Sequence, residues 1–237
     1  MDIPILYEDD NYIVFNKPAG LVVHSDGRTK EPTLADWLIT NRPEMKNVGE
    51  PLTPTEGEQI LRPGIVHRLD KETSGAIVVA KNDKAFADLK EKFQNRLVNK
   101  KYHTFVYGSL KEDEDTISRP IGRSKNDFRK WSAQRGARGE MREAITNYRV
   151  LAKTKEASFV EVEPKTGRTH QIRVHFKAIH HPVVADALYA PKQPPILGFE
   201  RLALHALEIS FKGIDGKVIK VTAPYPPDFE NAVKAFT

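Results

Sequence analysis

Short apolar runs separated by turn residues dominate the hydrophobic pattern of this chain. Within residues 5–17, ILY and YIVFNK flank an acidic turn at 8–11 and predict two strands. AIVVA at 76–80 predicts a buried strand, and YHTFVY at 102–107 predicts another. Further strands are predicted at 145–151, 158–163, 203–211 and 217–223.

Four other segments have apolar residues at helical spacing. We expect Thr33 to cap the first helix, Asn82 or Asp83 the second and Thr169 the third, and Pro226-Pro227-Asp228 to open the fourth. The apolar stripes are Leu34, Trp37 and Leu38; Phe86, Leu89, Phe93 and Leu97; Ile172, Phe176 and Ile179; and Phe229, Val233 and Phe236.

These elements do not alternate strictly as strand, helix, strand. The pattern therefore favours an α+β fold with a mixed, largely antiparallel sheet and flanking helices. Nothing in it requires a second folded domain, so we expect a single domain over 1–237. The proline-containing segment 42–64 has little periodicity and predicts a long surface loop.

The composition excludes several kinds of chemistry but does not identify the function of the chain. The formal charge of +5 is compatible with a polyanionic partner but is common among ordinary proteins. The absence of cysteine excludes disulfides, thiolate zinc sites and cysteine nucleophiles, and fits a reducing cytoplasm. We expect no membrane segment, because no stretch approaches about 18 apolar residues. Neither G-x-G-x-x-G nor a P-loop is present, so no nucleotide cofactor is predicted.

The histidine spacing does not favour a metal site. His170 and His175 are five residues apart, not the four that align two ligands on one helix face. Structural, hydrogen-bonded histidines are the more common interpretation, and we expect no metal.

Residues 64–75 form a segment that is rich in polar side chains. It begins with the apolar pair Ile65-Val66 and ends at Gly75, after which the predicted buried strand 76–80 follows. We interpret it as a polar loop between two buried strands, a rigid position for catalytic groups. A surface turn with charge pairs is an equal alternative from the residues alone.

A second polar segment, 165–175, opens the third predicted helix. Arg168 and Arg173 cannot both be freely solvated if this helix packs on the sheet, so one of them needs an anion. Asp70 is the obvious candidate. The alternative is an ordinary exposed basic helix face.

Residues 119–142 change character and carry no predicted strand or helix. Eight basic side chains lie there, with Phe128 and Trp131 among them. The eight are Arg119, Arg123, Lys125, Arg129, Lys130, Arg135, Arg138 and Arg142. This stretch is our main candidate for contact with a polyanionic partner, and a solvated basic loop is the alternative.

Four motifs occur in an order that resembles the RluA-type RNA pseudouridine synthases. They are HRLDKETSG at 67–75, KKYHTFVYG at 100–108, TGRTHQIRVH at 166–175 and RLALHA at 201–206. The resemblance spans about 12–225. It implies one catalytic domain over 1–237, and we expect no separate N-terminal RNA-binding domain of the kind that many relatives carry. It implies the pseudouridine synthase fold with a central RNA-binding cleft, and isomerisation of specific uridines in ribosomal or transfer RNA without cofactor or metal.

The resemblance also implies three catalytic residues: Asp70, Arg173 and Tyr102. Asp70 matches the family's catalytic aspartate, and a carboxylate can act as nucleophile or base. Arg173 matches the arginine that pairs with it and favours its charged form. Tyr102 matches an active-site tyrosine whose ring can stack on uracil. A core tyrosine in a strand is the alternative from the residues alone.

The remaining implied residues bind the substrate. Arg68 matches an arginine that fills the space left by the flipped base. Leu204 matches an apolar residue that lines the pocket, although a leucine in the core of a strand fits the sequence equally well. We add His67, Arg168, Arg129, Lys130 and Trp131 to the substrate-binding set. The family pattern would have methionine where Trp131 stands, so the aromatic ring bears on substrate identity rather than on chemistry.

Two rival functions remain open at this point. A non-catalytic RNA-binding protein on the same scaffold explains the basic stretch but not Asp70, Tyr102 and Arg173 together. A glycoside hydrolase needs a second cleft carboxylate beside Asp70, and none is evident. With no extended apolar seam in the pattern, we expect a monomer.

Overall fold

The computed structural model describes residues 2–25, 27, 31–53, 59–134 and 137–236. Its strands are β1 Ile5–Glu8, β2 Tyr12–Lys17, β3 Ser74–Ala80, β4 Asn99–Tyr107, β5 Glu114–Ser118, β6 Ile121–Arg123, β7 Trp131–Ser132, β8 Arg138–Arg142, β9 Ile145–Lys153, β10 Ala157–Pro164, β11 Leu204–Lys212 and β12 Val218–Thr222. Its α-helices are α1 Leu34–Asn41, α2 Asp83–Gln94, α3 Gln171–Ala178 and α4 Pro227–Phe236.

The chain forms two compact units. The first unit contains Met1–Asn99 and Glu208–Pro224, and the second contains Lys100–Leu207 and Tyr225–Thr237. The strand pairs within each unit are antiparallel, which confirms the α+β prediction with a largely antiparallel sheet. In the described residues no helix is long and apolar enough to cross a membrane.

In the first unit, β1, β2 and β3 form an antiparallel meander in which Tyr12 faces Ala80 and Lys17 faces Gly75. All seven residues of β3 are buried, as its uninterrupted apolar run predicts. Thr33 caps α1 in a capping box with Asp36. Asn82 caps α2 by accepting a hydrogen bond from the amide of Ala85, so both predicted caps are confirmed.

Two predictions about the first unit are wrong in part. Leu97 was placed on the apolar stripe of the second helix, but α2 ends at Gln94 and Leu97 is 60% exposed. The polar segment 64–75 does not lie between two strands: β3 follows it, but residues 61–73 have no regular structure. Segment 42–64 contains a short 3₁₀ helix, Pro43–Met45, with Met45 fully buried.

In the second unit, β10 pairs with β4 on one side and with β9 on the other, and β9 also pairs with β5. Its core includes a stack of Phe105 on Phe159, with ring centroids 4.6 Å apart. The predicted stripe of α4 packs against this core through Phe229, Val233 and Phe236. Burial of these apolar side chains stabilises the unit, since it removes them from water.

The basic stretch 119–142 is not a loop but a small sheet. β6 pairs with both β7 and β8, giving a three-stranded antiparallel sheet. No alternation of apolar and polar residues signals it, because every residue of β8 is exposed. Arg135, one of the eight basic residues, lies outside the described part of the chain.

Candidate active site

Asp70 lies in an irregular segment of the first unit that is fixed by backbone contacts. Its carbonyl accepts a hydrogen bond from the amide of Thr73 at 3.1 Å. Leu69 is buried, Asp70 is half-buried and Arg68 is exposed. At the start of the segment Gly64 has φ 63°, and a Cβ there would lie 1.9 Å from the carbonyl oxygen of Ala80. Only glycine permits this approach, so residue 64 fixes where the segment begins.

Lys17, which the sequence did not single out, holds the peptide that follows Asp70. Its side chain is fully buried, and its ammonium group donates to the carbonyls of Pro18, Leu21 and Lys71 at 2.8, 2.8 and 3.0 Å. A buried charge is tolerated where hydrogen bonds replace its water. The amide of Gly20 also donates to the Lys71 carbonyl, so the turn after β2 is tied to the Asp70 segment.

The backbone amide of Val78 in β3 donates a hydrogen bond to Nε2 of His67 at 3.1 Å. The ring also stacks on Phe93 at 4.5 Å. These contacts help seat the segment on β3 and α2. His67 as a substrate-binding residue stays a prediction, and so does Arg68, whose exposed side chain is accessible to a ligand.

In the second unit, Arg173 lies on α3 and is nine-tenths buried. Its Nε and one terminal nitrogen donate to the two oxygens of Asp186 at 2.8 and 2.9 Å. The Asp186 carboxylate, itself buried, also accepts hydrogen bonds from the amides of Leu188 and Tyr189. Such a two-point contact fixes the plane of the guanidinium as well as its position. The predicted pairing of Arg173 with Asp70 stays a prediction.

Asp186 was missed because it is thirteen residues from Arg173, outside any helical spacing. An arginine on this helix does have an anionic partner, and that partner is Asp186. The signal available in the sequence was an aspartate in the apolar-flanked stretch PVVADALYA at 182–190. Carboxylates are rarely buried unless they are paired.

A buried polar network sets the orientation of α3. The Thr166 hydroxyl donates to the side-chain oxygen of Gln171, whose nitrogen donates to the hydroxyl of Thr146. That hydroxyl in turn contacts Nδ1 of His175 at 2.9 Å. The helix cap is His170 with φ 55°, not Thr169 as predicted. No capping side-chain hydrogen bond is present at this helix start; the Gln171 side-chain oxygen instead accepts the amide of Arg168, which precedes the helix.

Tyr189 joins the surroundings of Arg173 to the small sheet. The Arg173 guanidinium carbon lies 5.0 Å from the centre of the Tyr189 ring, within range of a cation–π contact. The Tyr189 hydroxyl accepts the backbone amide of Trp131 and contacts Nδ1 of His170, both at 2.9 Å. The Tyr189 side chain therefore contacts α3 through Arg173, the residue before α3 through His170, and β7 of the small sheet through Trp131.

The other predicted residues of the second unit divide between core and surface. Leu204 is buried at the start of β11 and belongs to the core, whereas Tyr102 is half-buried in β4 and packs against it. Arg168 is only partly buried, and its Nε donates to the carbonyl of Glu143 at 2.9 Å. None of these contacts tests a role toward substrate, so the predicted roles stay predictions.

Arg129 and Lys130 share one carboxylate. Asp127 accepts two hydrogen bonds from the Arg129 side chain and lies 3.8 Å from the Lys130 ammonium. The Arg129 contacts lower the pKa of Asp127 to about 2. Arg119 donates to the carbonyl of Ala178 at the end of α3, where a cation suits the helix dipole.

Among the described residues, no group of three or more histidine, aspartate or glutamate side chains is placed to hold a metal ion.

Comparison with known proteins places these features in a family. The model of the family described as RNA pseudouridylate synthase matches residues 11–178, which include Asp70, Tyr102 and Arg173. An uncharacterised RNA pseudouridine synthase of Synechocystis is 39% identical over 96% of this chain and 67% of its own length. A ribosomal large subunit pseudouridine synthase D of Zymomonas mobilis is 36% identical, over 97% of this chain and 72% of its own.

Solved structures agree with the sequence relatives. Human RNA pseudouridylate synthase domain containing 1 has a TM-score of 0.72 at 28% identity, covering 95% of this chain and 84% of its own. Human RNA pseudouridylate synthase domain containing 4 has a TM-score of 0.73 at 25% identity, covering 97% and 91%. The chain therefore belongs to the RNA pseudouridine synthases, enzymes that isomerise uridine in RNA.

Proposed function

We propose that this enzyme isomerises specific uridines of large-subunit ribosomal RNA through Asp70. The observation that carries the proposal is the anchoring of the Asp70 segment, where the buried Lys17 ammonium binds the carbonyl of the very next residue, Lys71. A reacting carboxylate needs a fixed position, since small displacements at a reacting centre cost rate. Asp70 acts at the sugar of the target uridine, as nucleophile or as base.

Arg173 serves in this proposal as the cation that pairs with Asp70. Its orientation by Asp186 supports the role, because a fixed guanidinium makes the more directional partner. Tyr102 stacks on the uracil, Leu204 lines the pocket, and His67 also binds the substrate. Arg68, the exposed neighbour of Asp70, fills the space of the extruded base.

The RNA itself binds along the small sheet and the turns of 119–142. Arg129, Lys130 and Trp131 bind RNA there. Arg168, in the motif 166–175, also binds RNA, and it contacts the carbonyl of Glu143 just after this stretch. Lys125 and Arg138 support this role, since neither has an ion pair among the described residues, and both are exposed. Phosphate contacts of this kind release counterions and make binding sensitive to salt.

The choice of ribosomal over transfer RNA follows relatives named for the large ribosomal subunit. Besides the Zymomonas enzyme, two are found in Xanthomonas campestris and Nitrosomonas europaea, at 37% and 35% identity. We further propose that the enzyme acts in the cytoplasm as a monomer with a single catalytic domain over 1–237.

Release of tritium from uracil C5 tests the proposal. Isomerisation replaces the C5 hydrogen by the sugar, so RNA labelled there loses its tritium to water, whereas RNA binding or glycoside hydrolysis releases none. The substrates are large-subunit ribosomal RNA and transfer RNA from cells lacking the gene. We expect release from the ribosomal RNA; release only from transfer RNA would refute the substrate, and none from either would refute the reaction.

Asp70→Asn separates chemistry from binding. It should lower the release rate by a factor on the order of 10³ or more while the protein still binds the RNA. Asp10→Asn, an exposed aspartate in the same unit, is the matched control and should keep full activity. Equal loss of binding and release in Asp70→Asn would make Asp70 a structural residue.

A further inference from the structure

Phe128 is the most exposed large hydrophobic side chain among the described residues, at 77%. It lies in the turn 124–130 between β6 and β7 of the small sheet. Single exposed apolar residues are common on protein surfaces, so exposure alone carries no function. The surroundings of this ring distinguish it.

The turn that presents Phe128 is held by hydrogen bonds. The amide of Ser124 donates to the carbonyl of Lys130, and the amide of Lys130 donates to the carbonyl of Asp127, each at 3.0 Å. Arg123 donates to the carbonyl of Phe128 itself, also at 3.0 Å. The backbone of the exposed ring is therefore fixed, so a ligand that contacts the ring has little backbone entropy to remove.

Arg123 links this turn to the sheet below it. A terminal nitrogen of its guanidinium donates to the Phe128 carbonyl, and the guanidinium carbon lies 4.6 Å from the centre of the Trp131 ring. Trp131 in turn is anchored through its amide to the Tyr189 hydroxyl. The turn thus stands on a continuous series of contacts that reaches the residue beneath the Arg173 guanidinium.

The charge around Phe128 selects the kind of ligand. Residues 123–131 contain four cations and one carboxylate, a net charge of +3. Asp127 lies close to Arg129 and Lys130, whereas Lys125 is exposed and has no ion pair in the described part of the chain. An exposed aromatic ring among cations is the arrangement that binds unpaired nucleotides, with the ring on the base and the cations on the phosphates.

We propose that Phe128 stacks on an unpaired base of the substrate RNA, outside the nucleotide that is isomerised. The inference rests on the proposed role of 119–142 in RNA binding and adds a requirement for the substrate: an unpaired nucleotide in addition to the target uridine. A paired duplex hides the faces of its bases, so it gains nothing from this ring.

Binding by three Phe128 variants tests the stack. The probes are a fluorescent stem–loop RNA and a fully paired duplex of equal length. Phe128→Ala and Phe128→Leu should weaken binding of the stem–loop roughly 5- to 150-fold, and Phe128→Trp should keep it. Affinity for the duplex should not change. Val218→Ala, which alters a side chain 72% exposed in the first unit, is the matched control.

Salt dependence separates stacking from charge. The slope of log affinity against log salt should be unchanged in the Phe128 variants, because no phosphate contact is lost. Lys125→Ala should reduce it by about 0.7 to 0.9. The inference would be overturned if Phe128→Leu bound the stem–loop as tightly as the wild type does. It would also be overturned if the Phe128 variants lost as much affinity for the duplex as for the stem–loop.

The same series distinguishes this inference from the proposed RNA surface. If Lys125→Ala with Arg138→Ala weakens binding but the Phe128 variants do not, the surface stands and the stack is refuted. If neither set changes affinity or slope, both are refuted.

Discussion

The guanidinium of Arg173 and the carboxylate of Asp186 form two hydrogen bonds, at 2.8 and 2.9 Å, in the buried part of the second unit. Asp186 is in turn fixed by two backbone amides of its own turn. The arginine proposed to assist catalysis is therefore oriented by a residue outside the four motifs.

Asp186→Asn should destabilise the protein, because it removes the charge partner of a buried arginine while keeping the side chain's size. We expect a loss of about 3 kcal/mol in the free energy of unfolding, measured by urea titration, together with a lower rate of tritium release. Asp113→Asn, which breaks the exposed pair with Lys153, should cost less than about 1 kcal/mol. Equal costs for the two variants would contradict this view of Asp186.

Lys17→Met should loosen the Asp70 segment. The substitution keeps an apolar stem but removes the ammonium donor from the carbonyls of Pro18, Leu21 and Lys71, of which Lys71 keeps the amide of Gly20. A buried carbonyl left without a donor costs about 1–3 kcal/mol. We expect lower stability to urea and a release rate reduced on the order of 10²-fold. Lys84→Met changes an exposed lysine of the same unit and should have little effect. An unfolding midpoint of Lys17→Met equal to that of the wild type would refute the anchoring role.

Tyr189→Phe should separate the contribution of the Tyr189 hydroxyl to stability from that of its ring. Phenylalanine keeps the ring beneath Arg173 but leaves the Trp131 amide without its acceptor, for which we expect a loss of about 1–2 kcal/mol in urea unfolding. Tyr189→Leu also removes the cation–π contact and should cost about 1 kcal/mol more. If the Phe variant were as stable as the wild type, the hydroxyl would have no part in holding β7.

Stability should fall as the pH is lowered below about 6.5. Burial lowers the pKa of His175 in the native state, with the Arg119 carbonyl partly opposing it, and burial also lowers that of His103. Below the ordinary histidine pKa the unfolded chain binds protons at these histidines that the native protein does not bind, so unfolding is favoured. Above that pH both states are neutral and the effect disappears.

Urea midpoints at pH 7.5 and 5.5 measure this dependence. His175→Gln should lose part of it, up to about 1.4 kcal/mol per pH unit. His180→Asn, at an exposed position with φ 67° that asparagine tolerates, should keep it. A wild-type pH dependence in His175→Gln would show that this histidine does not contribute.

Features whose causes lie within a few residues were predicted well. The caps at Thr33 and Asn82 were found because a capping side chain binds an amide three residues on. The buried strand β3 was found from its continuous apolar run. The cap of α3 was not found: His170, not Thr169, precedes this helix with a left-handed backbone and without a capping side-chain hydrogen bond, so the pattern that identifies threonine caps does not apply there.

The sequence by itself determined the motifs, their order, the class of fold and most helices and strands, because periodicity and capping are local properties of the chain. Tertiary structure alone decided which groups hold the proposed reactive residues: Asp186 for Arg173, and Lys17 for the peptide after Asp70. It also decided that 119–142 forms a small sheet with Phe128 at its turn. Contacts between residues 13 or 54 positions apart depend on where turns bring the chain back, and neither hydrophobic period nor local hydrogen bonding encodes that return.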